Sequence, residues 1–248
     1  MMHSFLLIGQ SNMAGRGEIE KAMPIDNSRI YVLRNGRWQK MFRPVNPDRA
    51  FAGVNLAESF AEIYAKEHNV DVGLIPCADG GTCLNQWRVG GLLYDNAVYQ
   101  TRLAERTSNV VGILWHQGEA DSTVEFKKDY EPKFTEIINS LRKDLNLTDV
   151  PVIVGGLGDF LKDYEGSVKF PDEVNLALQT VAKNNKLIGF ASAEGLKSKG
   201  DNLHFDSESL YEFGLRYYKE FIKLYDKDKV YPEKSSPDDA VRSEMENL

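Results

Sequence analysis

Two segments of this 248-residue chain combine residue types and spacings that suit acyl transfer. That chemistry needs a nucleophile, a base and a group that orients the base. The first segment is Gly9-Gln10-Ser11-Asn12-Met13-Ala14-Gly15-Arg16-Gly17, directly after the apolar run 5–9. In an open α/β sheet ligands bind beyond the carboxyl ends of the strands, so Ser11 occupies a favoured place for chemistry. If a helix begins there, its first backbone N–H groups can also stabilise an oxyanion. A phosphate-binding loop fits worse: the Gly-Lys-[Ser/Thr] ending of a Walker motif and the glycine spacing of a dinucleotide fingerprint are both missing. A serine that merely caps a helix before a glycine turn stays open on this segment alone.

The second segment, Gly200-Asp201-Asn202-Leu203-His204-Phe205-Asp206, places an aspartate and a histidine three residues apart. On one turn the Asp201 carboxylate can fix the His204 tautomer and stabilise its charged form. A loop histidine capped by a neighbouring acid is the competing reading, and Ser11 gives the catalytic one its force. Of the other histidines, His3 falls at an expected frayed start and His68 on an exposed helix end. His116 is the rival base.

Two further segments follow predicted strands: Pro76-Cys77-Ala78-Asp79-Gly80-Gly81-Thr82 and Trp115-His116-Gln117-Gly118-Glu119-Ala120-Asp121. Backbone N–H groups of Gly80 or Gly81, the Gln117 side-chain amide and the Ser11 N–H are candidate oxyanion donors. Losing one such donor typically costs about 2–4 kcal/mol of transition-state stabilisation. Glu119 and Asp121 read either as metal ligands or as braces for the Gln117 loop. No histidine spacing accompanies them, and neighbouring side chains on a strand face opposite ways, so bracing is the better account.

These loops need a sheet to bring them together. Continuously apolar runs at 5–9, 30–33, 70–76, 110–115, 152–155 and 187–191 are expected as strands buried on both faces. Helical periodicity covers 54–66, 126–145, 173–184 and 208–225. The alternation predicts an α/β fold, a three-layer α/β/α sandwich whose mainly parallel central sheet is flavodoxin-like and five-stranded. One domain over 1–226 and a polar C-terminal tail over 227–248 with a marginal final helix complete the expectation. A net charge of −7 argues against a nucleic-acid or anionic-membrane partner, and 42% hydrophobic with 27% charged residues is an ordinary globular balance. No run is long enough to span a bilayer, and the N-terminus lacks a basic leader region, which together predict a cytoplasmic protein. Cys77 and Cys83 are expected as free thiols rather than a bridge or a zinc pattern.

In order along the chain, Gly9-Gln10-Ser11-Asn12-Met13, Gly80-Gly81-Thr82, Trp115 through Asp121, and Asp201-Asn202-Leu203-His204 resemble the SGNH/GDSL hydrolase superfamily. The likeness is to the branch that contains family 6 carbohydrate esterases (acetylxylan esterases) and sialate O-acetylesterase-like domains, and it spans roughly 4–225. Gln10 stands where the better-known pattern has aspartate and Gln117 where it has the oxyanion asparagine; both departures match that branch. The resemblance implies a triad of Ser11, Asp201 and His204. It also implies an oxyanion hole of Ser11, one of Gly80 and Gly81, and Gln117, with no cofactor or metal. The implied reaction is removal of O-acetyl groups from sugars through an acetyl-enzyme. Asn12, Trp87 and Arg88 are assigned to the substrate side, core packing being the alternative for Trp87, and Glu119 to a supporting role. The partner expected is an acetylated sugar or oligosaccharide, and a homo-oligomer is left open. The alternatives are a carbohydrate-binding protein of the same fold without turnover, a nucleotide binder using the 9–17 loop, and a general short-chain esterase or thioesterase.

Overall fold

The computed structural model describes residues 1–234. The apolar runs form strands β1 (Met2–Gly9), β2 (Ile30–Arg34), β4 (Asp71–Pro76), β5 (Asn109–His116), β6 (Val152–Gly155) and β7 (Ile188–Ala191), with β3 (Arg37–Lys40) added at one edge. The sheet order is β3-β2-β4-β1-β5-β6-β7. Every neighbouring pair is parallel except β2 with β3. The run β4-β1-β5-β6-β7 is the flavodoxin-like order. The expected count of five is corrected to seven by the β2–β3 hairpin beyond β4. That hairpin turns at Asn35-Gly36, both at positive φ (51° and 73°), as a two-residue hairpin loop requires. β3 escapes the apolar-run criterion because Trp38 is its one apolar residue.

Helices α2 (Ala57–His68) and α6 (Ser207–Leu224) cover one face of the sheet. Helices α3 (Leu92–Glu105), α4 (Tyr130–Asp144) and α5 (Pro171–Asn184) cover the other. β1 runs between β4 and β5, and its side chains alternate between the layers: Phe5 and Leu7 pack with α2 and α6, Leu6 and Ile8 with α3 and α4. α3 was not expected, because Leu92, Tyr99 and Leu103 lie on its exposed side and blur the helical period.

The N-terminus is not frayed. His3 is a buried β1 residue whose Nδ1 lies 2.8 Å from the Tyr64 hydroxyl and whose ring packs on Tyr231. The 227–234 segment runs back beside it, with Pro232 O accepting from Asn109 Nδ2 and Lys229 paired with Asp149. The remainder of the expected tail and its final helix lie outside the described residues. Cys77 and Cys83 are free thiols. Among the described residues no helix is long and apolar enough to cross a membrane.

Burial, with smaller contributions from His68 and the amino terminus, lowers the His3 pKa from 6.5 to about 4. A histidine held neutral by the fold contributes stability above its unfolded pKa and loses it as pH falls toward the folded one. Stability should therefore decline between about pH 6.5 and 4, by up to roughly 3 kcal/mol from this group. The decline should be measurably shallower in His3→Gln when denaturant unfolding is followed across that range.

Candidate active site

Ser11 opens a single helical turn, α1 (Ser11–Ala14), at the carboxyl end of β1. The turn is possible because Gly9 adopts φ +135° against β5, where a Cβ would lie 2.0 Å from the His116 carbonyl oxygen. Gln10 N donates to that same oxygen at 2.9 Å, and Gln10 O then accepts from Met13 and Ala14 N. No group among the described residues accepts the Ser11 N–H, an orphan donor of the first turn.

The base arrives from the far end of the chain. His204 Nε2 lies 3.1 Å from Ser11 Oγ, and His204 Nδ1 lies 2.7 Å from Asp201 Oδ2. A carboxylate only accepts, so Nδ1 carries the proton and Nε2 is left to accept from the serine hydroxyl. Asp201 Oδ1 also accepts from the His204 and Leu203 N–H groups at 2.8 and 3.0 Å. Burial pushes the Asp201 carboxyl up, but these bonds and the imidazole outweigh it and hold the pKa at about 2. The carboxylate is thus ionised at any ordinary pH.

Asn12 fastens the two halves together. Its Nδ2 donates to Glu119 Oε1 at 2.5 Å and to Leu203 O at 3.1 Å, and its Oδ1 accepts from Phe205 N at 3.2 Å. Nearly fully buried, Asn12 ties the nucleophile turn to the His204 loop, not to the substrate side where the sequence had placed it. Glu119 supports from below through His116, whose Nε2 is 3.1 Å away. Burial raises the Glu119 carboxyl, but His116 and the Asn12 bond more than compensate, so its pKa falls below the ordinary range. The rival base His116 is therefore a sealed partner of Glu119 and Tyr217, away from the cleft.

The Gly80-Gly81 loop is shaped by a segment that sequence reasoning missed. Asp48 receives a two-pronged ion pair from Arg16, at 3.0 and 2.7 Å, with both side chains buried. Asp48 Oδ2 also accepts from Gly80 N at 2.8 Å. Asn46 clamps Ala78 at both its N–H and its carbonyl, each at 3.0 Å, and Arg49 pairs with Asp79 and donates to Gly80 O. No signal in the sequence ties Arg16 to Asp48, because Glu18 and Glu20 are nearer acids along the chain.

Three further expectations change. The Gln117 amide is buried beneath the cleft, with Nε2 donating to Asp121 Oδ2 (2.6 Å), Thr82 O (3.1 Å) and Gln10 Oε1 (3.2 Å), so it does not face the site as an oxyanion donor. Trp87 is 0% exposed, packs on the Trp115 ring and donates to Thr82 Oγ1, making it core. Arg88 is exposed, bonds Asn85 O and does not border the cleft. Asp121 is a brace, accepting from Gln117 and from Leu84 N.

An open cleft of about 460 Å³ lies over Ser11 and His204. Its lining includes Gln10, Gly80, Gly81 and Glu119, together with the aromatic rings of Phe51 and Tyr164. A family model described as carbohydrate esterase, sialic acid-specific acetylesterase, matches residues 1–223. The chain belongs to this family of carboxylic ester hydrolases. It is 29% identical to a probable carbohydrate esterase of Arabidopsis thaliana, over 89% of this chain and 90% of that one. An X-ray structure of an Arabidopsis thaliana protein superposes with a TM-score of 0.81 at 28% identity, covering 90% of this chain and 99% of that one. NanS shares the fold at a TM-score of 0.72 and 16% identity, covering 90% and 97% of the two chains. So does a carbohydrate acetylesterase from Xanthomonas citri at 0.65 and 15%, covering 89% of this chain and 57% of that one.

Replacing Asn12 by alanine should release the His204 loop and leave Glu119 short of a donor. The expected cost is about 1–3 kcal/mol of stability, from an unsatisfied buried acceptor, together with a fall of at least about tenfold in kcat/KM. Thermal unfolding and ester hydrolysis measured on the same preparation test both. Unchanged turnover would show that Asn12 does not set the Ser11–His204 geometry.

Proposed function

We propose that the protein removes O-acetyl groups from a carbohydrate through an acetyl-enzyme intermediate on Ser11, in the manner of an acetylxylan esterase. The observation that carries the reading is the continuous hydrogen-bonded line from Asp201 through His204 to Ser11 Oγ, with Ser11 and His204 lining the open cleft. Ser11 Oγ attacks the acetyl carbonyl while its proton passes to His204 Nε2, and Asp201 stabilises the imidazolium that forms. The tetrahedral intermediate collapses as His204 returns that proton to the departing sugar oxygen. Water then attacks the acetyl-enzyme with His204 as base, and acetate leaves as the Ser11 hydroxyl is restored.

Two backbone donors serve the oxyanion. The Ser11 N–H is unclaimed, and of the glycine pair Gly81 is the candidate, because Gly80 gives its N–H to Asp48. The charge of the cleft favours a neutral sugar. Both of its cations are already paired, Arg16 with Asp48 and Arg49 with Asp79, so neither is a spare partner for a substrate carboxylate. Phe51, 70% exposed beside Arg16, and Tyr164 offer apolar faces of the kind a pyranose ring packs on. The volume is in the range of a small-ligand site.

The test compares acetate release from acetylated xylan, O-acetylated sialic acid and an aryl acetate, by wild type and Ser11→Ala. Wild type should turn over the neutral acetylated sugar most efficiently, and Ser11→Ala should lose on the order of 10⁴-fold or more in kcat. Equal release by the two proteins would end the Ser11 assignment. A clear preference for the sialic acid ester would overturn the neutral-sugar reading while leaving the mechanism in place.

A further inference from the structure

Helix α3 buries Tyr94, Ala97, Val98, Thr101 and Ala104 against the body of the protein. On its outer side Leu92, Tyr99 and Leu103 are 83%, 65% and 38% exposed. With the half-buried Asn96 between them, these residues follow one another at spacings of four, three and four, which keeps them on one stripe of the helix surface. An exposed apolar stripe rimmed by polar residues marks an interaction surface. We infer that a second copy of this chain covers it, with α3 packed antiparallel on its counterpart across a two-fold axis.

The stripe itself selects that partner. A two-fold interface must be self-complementary, each contact occurring twice. An axis passing between Ala97 and Val98 meets this condition, because it sets Leu92 on Leu103 of the partner subunit and Asn96 on Tyr99 of the partner subunit. The charges agree. Asp95 and Arg102 lie on the same flank of the stripe, one seven-residue repeat apart, and both are exposed. Antiparallel packing brings like flanks together, so Asp95 meets the partner's Arg102 and Arg102 meets the partner's Asp95. Arg102 gives one Nη to the Asp144 carbonyl, and its guanidinium has further donors for a carboxylate. In a parallel pair Asp95 would face the partner's Gln100 and gain no cation. Rim pairs of this kind set register and orientation more than affinity.

A single helix pair covers less than the roughly 800 Å² per partner of a standard interface. The dimer should accordingly exchange with monomer at micromolar concentrations. α3 begins after the Gly80–Trp87 loop, at the cleft end of the sheet, and ends just before β5 starts. Antiparallel partners therefore hold their clefts at opposite ends of the dimer, and neither subunit blocks the other.

Sedimentation velocity of the full chain over about 1–300 µM tests the assembly. A monomer–dimer equilibrium is expected, and Tyr99→Asp or Leu103→Asp should abolish it. Asp95→Arg or Arg102→Asp alone should weaken the dimer by about tenfold, and the double variant D95R/R102D should recover most of that loss. Melting temperatures should stay close to wild type, because all four side chains are exposed.

Cysteine pairs read the register. In a Cys83→Ser background, oxidation should link two chains of the Leu92→Cys/Leu103→Cys variant. Within one chain these positions lie about 16 Å apart along the helix, too far for an internal disulfide. Leu92→Cys alone should not cross-link, since antiparallel packing separates the two copies of residue 92 by a similar length. A chain that stays monomeric throughout the range, a dimer that survives Leu103→Asp or is indifferent to both charge reversals, or equal cross-linking by Leu92→Cys alone would each overturn the inference.

Discussion

The closeness of β1 and β5 at their carboxyl ends is the constraint on which the site depends. Parallel strands ordinarily diverge into separate loops once their ladder ends. Here Gly9 lets the backbone of the first loop lie directly on the His116 carbonyl, and Gln10 N–H continues the ladder by one more bond. Any side chain at position 9 would strike that oxygen and separate the loops. Because they stay in contact, residues 10–12 and 117–121 behave as one surface: Gln10 Oε1 binds the N–H groups of 118 and 120, and Asn12 reaches Glu119. The serine is lifted into the cleft by a turn that cannot tilt without breaking this surface.

Buried charge does the fastening elsewhere in the site. Glu119 with His116 and Asp48 with Arg16 are sealed pairs, and each also accepts a bond from a loop that must not move: the Asn12 side chain for Glu119, the Gly80 N–H for Asp48. Such pairs contribute little net stability relative to an apolar replacement of equal shape. What they add is direction. An apolar contact tolerates sliding, whereas a carboxylate that has lost its water must be met by donors at fixed positions, and removing one partner typically costs about 3–5 kcal/mol. The cleft is accordingly shaped by hydrogen-bond geometry more than by packing.

How much of this could be read from the chain depended on the range of each interaction. The buried strands were legible because burial on both faces leaves uninterrupted apolar runs, as in 110–115. Asp201 and His204 were legible because their partnership lies within one turn. β3 was not, since an edge strand needs only Trp38 to anchor it, although Asn35-Gly36 marks the hairpin. α3 was obscured by Leu92, 83% exposed on a helix whose buried side is carried by Tyr94, Ala97, Val98, Thr101 and Ala104. The roles of Asn12, Gln117 and Trp87 turned on partners in other loops. An amide beside a nucleophile and a tryptophan after a glycine pair look the same in sequence whether they face substrate or core. The Arg16–Asp48 pair, 32 residues apart, has no local signature at all.

The proposed chemistry asks different things of the oxyanion donors and of the base. Donors that stabilise an oxyanion are effective only if they are already oriented when charge appears, and the proposed donors, the Ser11 turn and the Gly80-Gly81 loop, are fixed to a strand end and to a buried ion pair. In the proposed reaction the base has a different task, because one imidazole must take a proton from Ser11 Oγ and deliver it to a departing alcohol nearby. His204 sits on a loop with Asp201 partly exposed, and the constraint is applied to the backbone on either side: Leu203 O and Phe205 N are bound by Asn12, and Asp206 caps α6 through Ser209 N. The backbone on both sides of the imidazole is thereby held in place. Asp201 completes the restraint from within the loop, since the backbone N–H groups that lower its pKa also hold the carboxylate against the ring.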